Sequence, residues 1–103
     1  MSARGSDQQR TADGALVRDI VICNKKGLHA RASAKFVQTV ERFDADVKVT
    51  RAGETVGGTS IMGLMMLSAG PGSTITVECR GNQAEEVMDA ICALIENRFS
   101  EED

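Results

Sequence analysis

The chain holds a single histidine, His29, within the run Gly27-Leu28-His29-Ala30-Arg31-Ala32-Ser33. That run links a stretch of alternating apolar residues to one with helical spacing, so His29 falls at a strand-to-helix junction. The first turn of a helix carries backbone N–H groups with no intrahelical partner. Together with the positive end of the helix dipole, those donors make a site for an anion. A neutral imidazole placed there has a nitrogen lone pair that can attack an electrophile. Arg31 offers a forked cation for phosphoryl oxygens. The pattern points to an imidazole that accepts a phosphoryl group, held by the Ala30 and Arg31 backbone and the Arg31 side chain. The plainer alternative is a polar residue that only fills a junction. Charge weighs against it. No acidic residue lies between Asp19 and Glu41, whereas Lys25, Lys26, Arg31 and Lys35 all do. With 12 Lys and Arg against 15 Asp and Glu, the chain is acidic overall, yet it gathers cations around its one histidine. Such a patch suits docking to acidic partners and steering of their encounter.

A second feature is Ser60 followed by Ile61-Met62-Gly63-Leu64-Met65-Met66-Leu67. Ser60 is a good N-cap for a short helix. The run is too apolar for one helical stripe to bury all of it. Core packing accounts for part of it, and Ile61, Met62 and Met65 are candidates for an exposed, adaptable contact surface. A phosphate on Ser60 would favour the helix and repel an acidic partner.

These residues need elements to position them. Leu16, Ile20 and Ile22 share one face of a first strand, about 16–23. Asn24-Lys25-Lys26-Gly27 breaks it. Phe36, Val40 and Phe43 then recur at helical spacing, giving a helix over 30–43. Val47 and Val49 alternate with polar residues, and Ala52-Gly53 turns the chain into a short strand at 54–56, a hairpin. After the Ser60 helix, Ser68-Ala69-Gly70-Pro71-Gly72 is a strong turn. A strand over 74–80 follows, with Ile75, Val77 and Cys79 on one side. Asn82 and Glu85 resemble a capping box opening a last helix that carries Ala84, Val87, Met88, Ile91, Leu94 and Ile95. The order β-α-β-β-α-β-α predicts an α+β open-faced sandwich, a four-stranded, largely antiparallel sheet covered on one face by three helices. Residues 1–14 are too polar to order themselves and form a tail, with the folded domain over 15–103. The end, Glu101-Glu102-Asp103, reads as solvated acid.

Composition excludes several classes of function. A chain of 103 residues holds one core. With 3 Phe, no Trp and no Tyr, that core is aliphatic, and binding of single-stranded nucleic acid by base stacking is disfavoured. A net charge of −3 argues against non-specific nucleic-acid binding. Cys23, Cys79 and Cys92 lack metal-ligand spacing and read as small buried hydrophobes in a reducing compartment. No metal and no cofactor is expected. There is no apolar run of membrane-spanning length and no signal-peptide pattern, so the expected location is the cytoplasm, away from the membrane.

Gly27-Leu28-His29-Ala30-Arg31 resembles the active-site motif of the HPr family, the histidine phosphocarriers of the bacterial phosphotransferase system. Ser60-Ile61-Met62-Gly63 resembles that family's regulatory-serine motif, and it stands 31 positions after His29, as in the family. The element order matches along 16–98. The resemblance implies the HPr open-faced β-sandwich and a phosphoryl carrier that is not itself an enzyme. It implies that enzyme I (phosphoenolpyruvate-protein phosphotransferase) phosphorylates His29 at Nδ1. The group then passes to a histidine of an enzyme IIA-type protein. Arg31 matches the active-site arginine, and Ser60 the serine modified by HPr kinase/phosphorylase. Lys26, Ala30, Lys35, Ile61, Met62 and Met65 fall on the implied partner surface. A monomer suits such a shuttle. Ala32 stands where many members have proline, and with Asn24-Lys25-Lys26-Gly27 it is more similar to the nitrogen-branch carriers than to those of sugar transport.

On the residues alone two other functions stay open. A small enzyme using His29 as general base would need a carboxylate converging on it in a cleft. A ligand-binding or assembly module would leave His29 incidental.

Overall fold

Alternation of apolar and polar side chains makes strands of Leu16–Val21, Asp46–Arg51 and Thr74–Arg80, and helical spacing makes long helices of Ala30–Glu41 and Ala84–Glu96. The computed structural model describes residues 9–12 and 14–101. In chain order the elements are β1 (Gln9–Arg10), β2 (Leu16–Val21), α1 (Ala30–Glu41), β3 (Asp46–Arg51), β4 (Glu54–Gly57), α2 (Ile61–Met66), β5 (Thr74–Arg80) and α3 (Ala84–Glu96). A single 3-10 turn, Arg98–Ser100, follows α3.

The strands form one antiparallel sheet in the order β1-β2-β5-β3-β4. Val49 pairs with Val56 on one side and Val77 on the other, which sets an apolar row across the sheet. That face packs against the helices in a core of Ile75, Val77, Phe36, Val40, Leu64, Val87, Ile91 and Ile95. The other face is polar, with Asp19 and Lys48 exposed and Thr76 Oγ1 donating to Asp19 at 2.7 Å. The expected open-faced α+β sandwich is therefore present. The hairpin turn is also as expected, with Ala52 (φ 52°) and Gly53 (φ 84°) both left-handed, the signature of the tight turn that matches strand twist.

Several details differ from the sequence reading. The sheet has a fifth strand: Gln9 and Arg10 pair with Val17 and Leu16. Order therefore reaches back beyond Ala15 into the stretch expected to be tail, and residues 1–8 and 13 of that stretch lie outside the described residues. Two polar residues carry no periodic signal; the backbone ladder, and Arg10 reaching Glu85 at 3.1 Å, hold them. The first helix stops at Glu41, two residues before Phe43. The capping box at Asn82 does not form. Gln83 is the N-cap without a side-chain bond, and Asn82 Nδ2 donates instead to Asp44 Oδ2 at 2.8 Å. This tertiary contact orients the Asn82 side chain, and the helix begins one residue later. Cys23 is exposed, unlike buried Cys79 and Cys92, because the alternation runs on past Val21: Ile20, Ile22 and Asn24 point inward, and Cys23 falls on the outward side with Asp19 and Val21.

Candidate functional site

Asn24 to Gly27 turn the chain from β2 toward α1. Asn24 is fully buried, and its Nδ2 donates to the Gly27 carbonyl at 2.8 Å. Gly27 has φ +65°, and a Cβ there would lie 2.2 Å from the Ala69 carbonyl oxygen. Only glycine lets the loop lie so close to the turn before β5, where the Leu28 amide donates to that carbonyl at 2.9 Å. Leu28 is buried, which leaves His29 half-buried at the mouth of the helix.

His29 is the N-cap of α1, with extended backbone (φ −76°, ψ −177°). Its Nδ1 accepts from the Arg31 amide at 3.2 Å. The Ser33 amide donates to the His29 carbonyl at 2.8 Å, and Ser33 Oγ donates to the Leu28 carbonyl at 3.2 Å. The first turn of α1 holds no acidic residue, so its positive end is not neutralised from within. A backbone N–H can only donate, so Nδ1 carries the lone pair, and the proton of the neutral ring sits on Nε2.

Nε2 meets a carboxylate. Glu101 Oε2 makes a short hydrogen bond to it, and Glu101 Oε1 accepts from Asn24 Nδ2 at 3.1 Å. Glu101 was expected in a solvated acidic end; instead its side chain is only 12% exposed, against 28% for that of His29. Residues 102 and 103 lie outside the described residues. Burial alone would push the Glu101 carboxyl up, but the bonds from His29 and Asn24, with the charge of Lys26, outweigh it and hold it below its usual value.

The turn after α3 explains how Glu101 arrives there. Arg98, Phe99 and Ser100 all have left-handed backbones, φ 55°, 54° and 60°. Such residues cost roughly 1–2 kcal/mol each. Opposing that cost, Phe99 is fully buried, worth roughly 1.5–3 kcal/mol, and its carbonyl accepts from Lys35 Nζ at 2.5 Å. Periodicity could not reveal this; an isolated Phe just past a helix was the one available signal.

The result is a half-open cleft of about 910 Å³ lined by Lys25, Lys26, His29, Ala30, Arg31, Lys35, Ser100 and Glu101. It brings together His29, Ala30, Arg31, Lys26 and Lys35 as the sequence suggested. It leaves out Ser60, Ile61, Met62 and Met65, which lie on or beside α2, packed next to α1. Ser60 caps α2 by accepting from the Gly63 amide at 3.0 Å. Ile61, Met62 and Met65 are exposed, and so is Met66, which sequence reasoning passed over. Lys35 is tied to Phe99 and only partly exposed, so it contributes less to a docking face than expected. Among the described residues no group of three or more His, Cys, Asp or Glu could hold a metal ion, and no helix is long and apolar enough to cross a membrane.

An exposed-edge imidazole with a bare Nδ1 facing a helix N-terminus, on an open-faced sandwich, defines a class of histidine phosphoryl carriers. Comparison with known proteins gives the family. The family model described as "PTS HPr component phosphorylation site" matches residues 16–97. Phosphocarrier protein HPr of Cupriavidus necator is 56% identical over 86 residues, covering 84% of this chain and 97% of that protein. Phosphocarrier protein NPr of Shewanella violacea is 42% identical, covering 84% of this chain and 94% of its own length. The crystal structure of an HPr from Thermoanaerobacter tengcongensis superimposes with a TM-score of 0.80 at 39% identity, covering 84% of this chain and 98% of that one. The chain belongs to the HPr family and is a phosphocarrier of the phosphotransferase system, not an enzyme. The carboxylate that a general-base enzyme would require is present, but it sits on Nε2, the nitrogen turned from the Arg31 amide.

Proposed function

We propose that His29 accepts a phosphoryl group on Nδ1 from the phosphohistidine of enzyme I and hands it to a histidine of an enzyme IIA-type protein. The observation that carries this is the Arg31 amide aimed at Nδ1 of the chain's one histidine, at the positive end of a helix without first-turn acid. As a phosphoryl group arrives, that amide is placed to pass from the ring nitrogen to a phosphoryl oxygen. The exposed Arg31 side chain and Lys26 supply cations beside it. In phosphoryl transfer such positioning and charge stabilisation supply most of the catalysis. A shallow site serves a carrier, since the group must leave again. The domain works as a monomer in the cytoplasm through small, transient interfaces, with Ile61, Met62 and Met65 beside the cationic cleft as the apolar part of the docking face.

Ser60 is the regulatory position for the ATP-dependent HPr kinase/phosphorylase. It is exposed and caps α2, so a phosphate there adds roughly −1.5 to −2 charge at the rim of the docking face while still suiting the helix end. Both HPr and NPr occur among the relatives. Offering the phosphorylated protein to IIA-type acceptors of the sugar and nitrogen branches identifies the branch it serves.

Incubation with enzyme I and phosphoenolpyruvate should place one acid-labile, base-stable phosphate on His29. Its appearance on another residue, or its absence, overturns the proposal. Ser60→Asp should slow that reaction and keep the fold; an unchanged rate would remove the regulatory role.

A further inference from the structure

The His29 ring has two possible neutral tautomers, and only the one with the proton on Nε2 leaves Nδ1 free to attack phosphorus. We propose, building on the carrier reading above, that Glu101 is a positioning residue that selects this tautomer and balances the charge that the ring acquires when it is phosphorylated. Four observations bear on it. Oε2 stands on Nε2, where as a carboxylate it can accept a hydrogen bond but not donate one. Oε1 is held separately by Asn24 Nδ2, so both carboxylate oxygens are engaged and the group is fixed in rotation. Asn24 is itself buried, with its second amide hydrogen on the Gly27 carbonyl, so the anchor belongs to the same loop that carries His29. Finally, the strained left-handed turn at Arg98–Ser100 delivers Glu101 to this spot. Burial of Phe99 and the Lys35 bond to its carbonyl hold that turn in place.

The transfer step then balances without moving a proton. The Nδ1 lone pair forms the N–P bond. The bond between phosphorus and the donor's phosphohistidine nitrogen breaks, and its electron pair stays on that donor nitrogen. The His29 ring keeps its Nε2 proton and becomes an imidazolium bearing PO₃ on Nδ1. Its positive charge lies directly against the Glu101 carboxylate. On the onward step the N–P electrons return to Nδ1 and the ring leaves as the neutral imidazole it was, again with its proton unmoved. A carboxylate that keeps that proton in place therefore serves both directions of the relay. It acts on the ring and not on phosphorus.

The test compares the native chain with Glu101→Ala and Glu101→Gln. With one histidine in the chain, ¹⁵N-labelled imidazole gives an unambiguous NMR signature, read at a pH where the ring is neutral. The native protein should show a bare Nδ1 and a protonated Nε2. Glu101→Ala, which leaves only the Arg31 amide to favour this tautomer, should show a measurable share of the other one and take phosphate from enzyme I about tenfold more slowly, with the phosphate still on His29. Glu101→Gln can present a carbonyl oxygen to Nε2; it should recover the tautomer signature but only part of the rate, since the charge is gone. An unchanged ¹⁵N pattern and rate in Glu101→Ala would overturn the positioning role and leave the carrier function standing. A native protein that takes no phosphate on His29 would overturn both.

Discussion

At the scale of single residues, Gly27 is the position where the loop has least freedom. Its φ of +65° is left-handed, and a side chain would meet Ala69 oxygen at 2.2 Å and Gly70 Cα at 2.8 Å, both backbone atoms that cannot swing away. Gly27→Ala should lower stability by about 3 kcal/mol, combining left-handed strain with overpacking, as measured by urea denaturation; a loss below about 0.5 kcal/mol, the range of a neutral surface change, would contradict the close approach. The cysteines make a second case. Burial, then the neighbouring Cys92 and Glu78, push the Cys79 thiol up to about 12 from 9.0, with Arg18 opposing. In the unfolded chain the thiol ionises first, so the folded state binds more protons between those values. Stability from this group is intact below 9.0 and falls as pH rises toward 12. An alkaline titration of the melting temperature should show that decline, and Cys79→Ala should flatten it. Of these features, Gly27 was legible as a chain break and Cys79 as a core residue. The closeness to Ala69 was not, because it depends on a turn more than forty positions away in sequence.

At the scale of elements, local signals were read well and tertiary ones were not. Ser60 is an N-cap because its oxygen needs only the Gly63 amide three residues on, and both are in the sequence window. Ser60→Ala should therefore cost about 1 kcal/mol and lower the melting temperature by about 4–8 °C, whereas Ser60→Asp, also a good cap, should cost less. A calorimetric ranking with Asp below Ala would show that the cap bond does not hold α2. Asn82 has the same cap-forming residue type, yet its side chain is oriented by the Asp44 carboxylate from across the fold and the helix begins after Gln83. The same limit hid β1 and the turn at Arg98–Ser100: neither has a period to detect, and both exist because distant groups hold them, the β2 backbone ladder for one and the Phe99 pocket and Lys35 for the other. His29, Arg31 and their helix end could be read from sequence, while Glu101, which completes the site from 72 positions away, could not.

For the molecule as a whole, the separation of charge matters more than its sum. A net charge of −3 coexists with Lys25, Lys26, Arg31 and Lys35 around one cleft. Steering by such a patch is screened over about 8 Å at physiological ionic strength. Phosphorylation by limiting enzyme I should slow severalfold as salt rises from about 50 to about 500 mM, and Lys26→Glu should weaken that dependence; a rate indifferent to salt would rule out long-range attraction. Finally, Arg10 grips Glu85 at the start of α3, while the chain beyond its far end folds onto His29. The helix between spans roughly 18 Å at 1.5 Å per residue. A dye joined directly at residue 9 thus starts by the opposite end of that helix from the imidazole, whereas one joined at Glu101 starts beside it, so kinetics recorded with a label there would report a perturbed reaction centre.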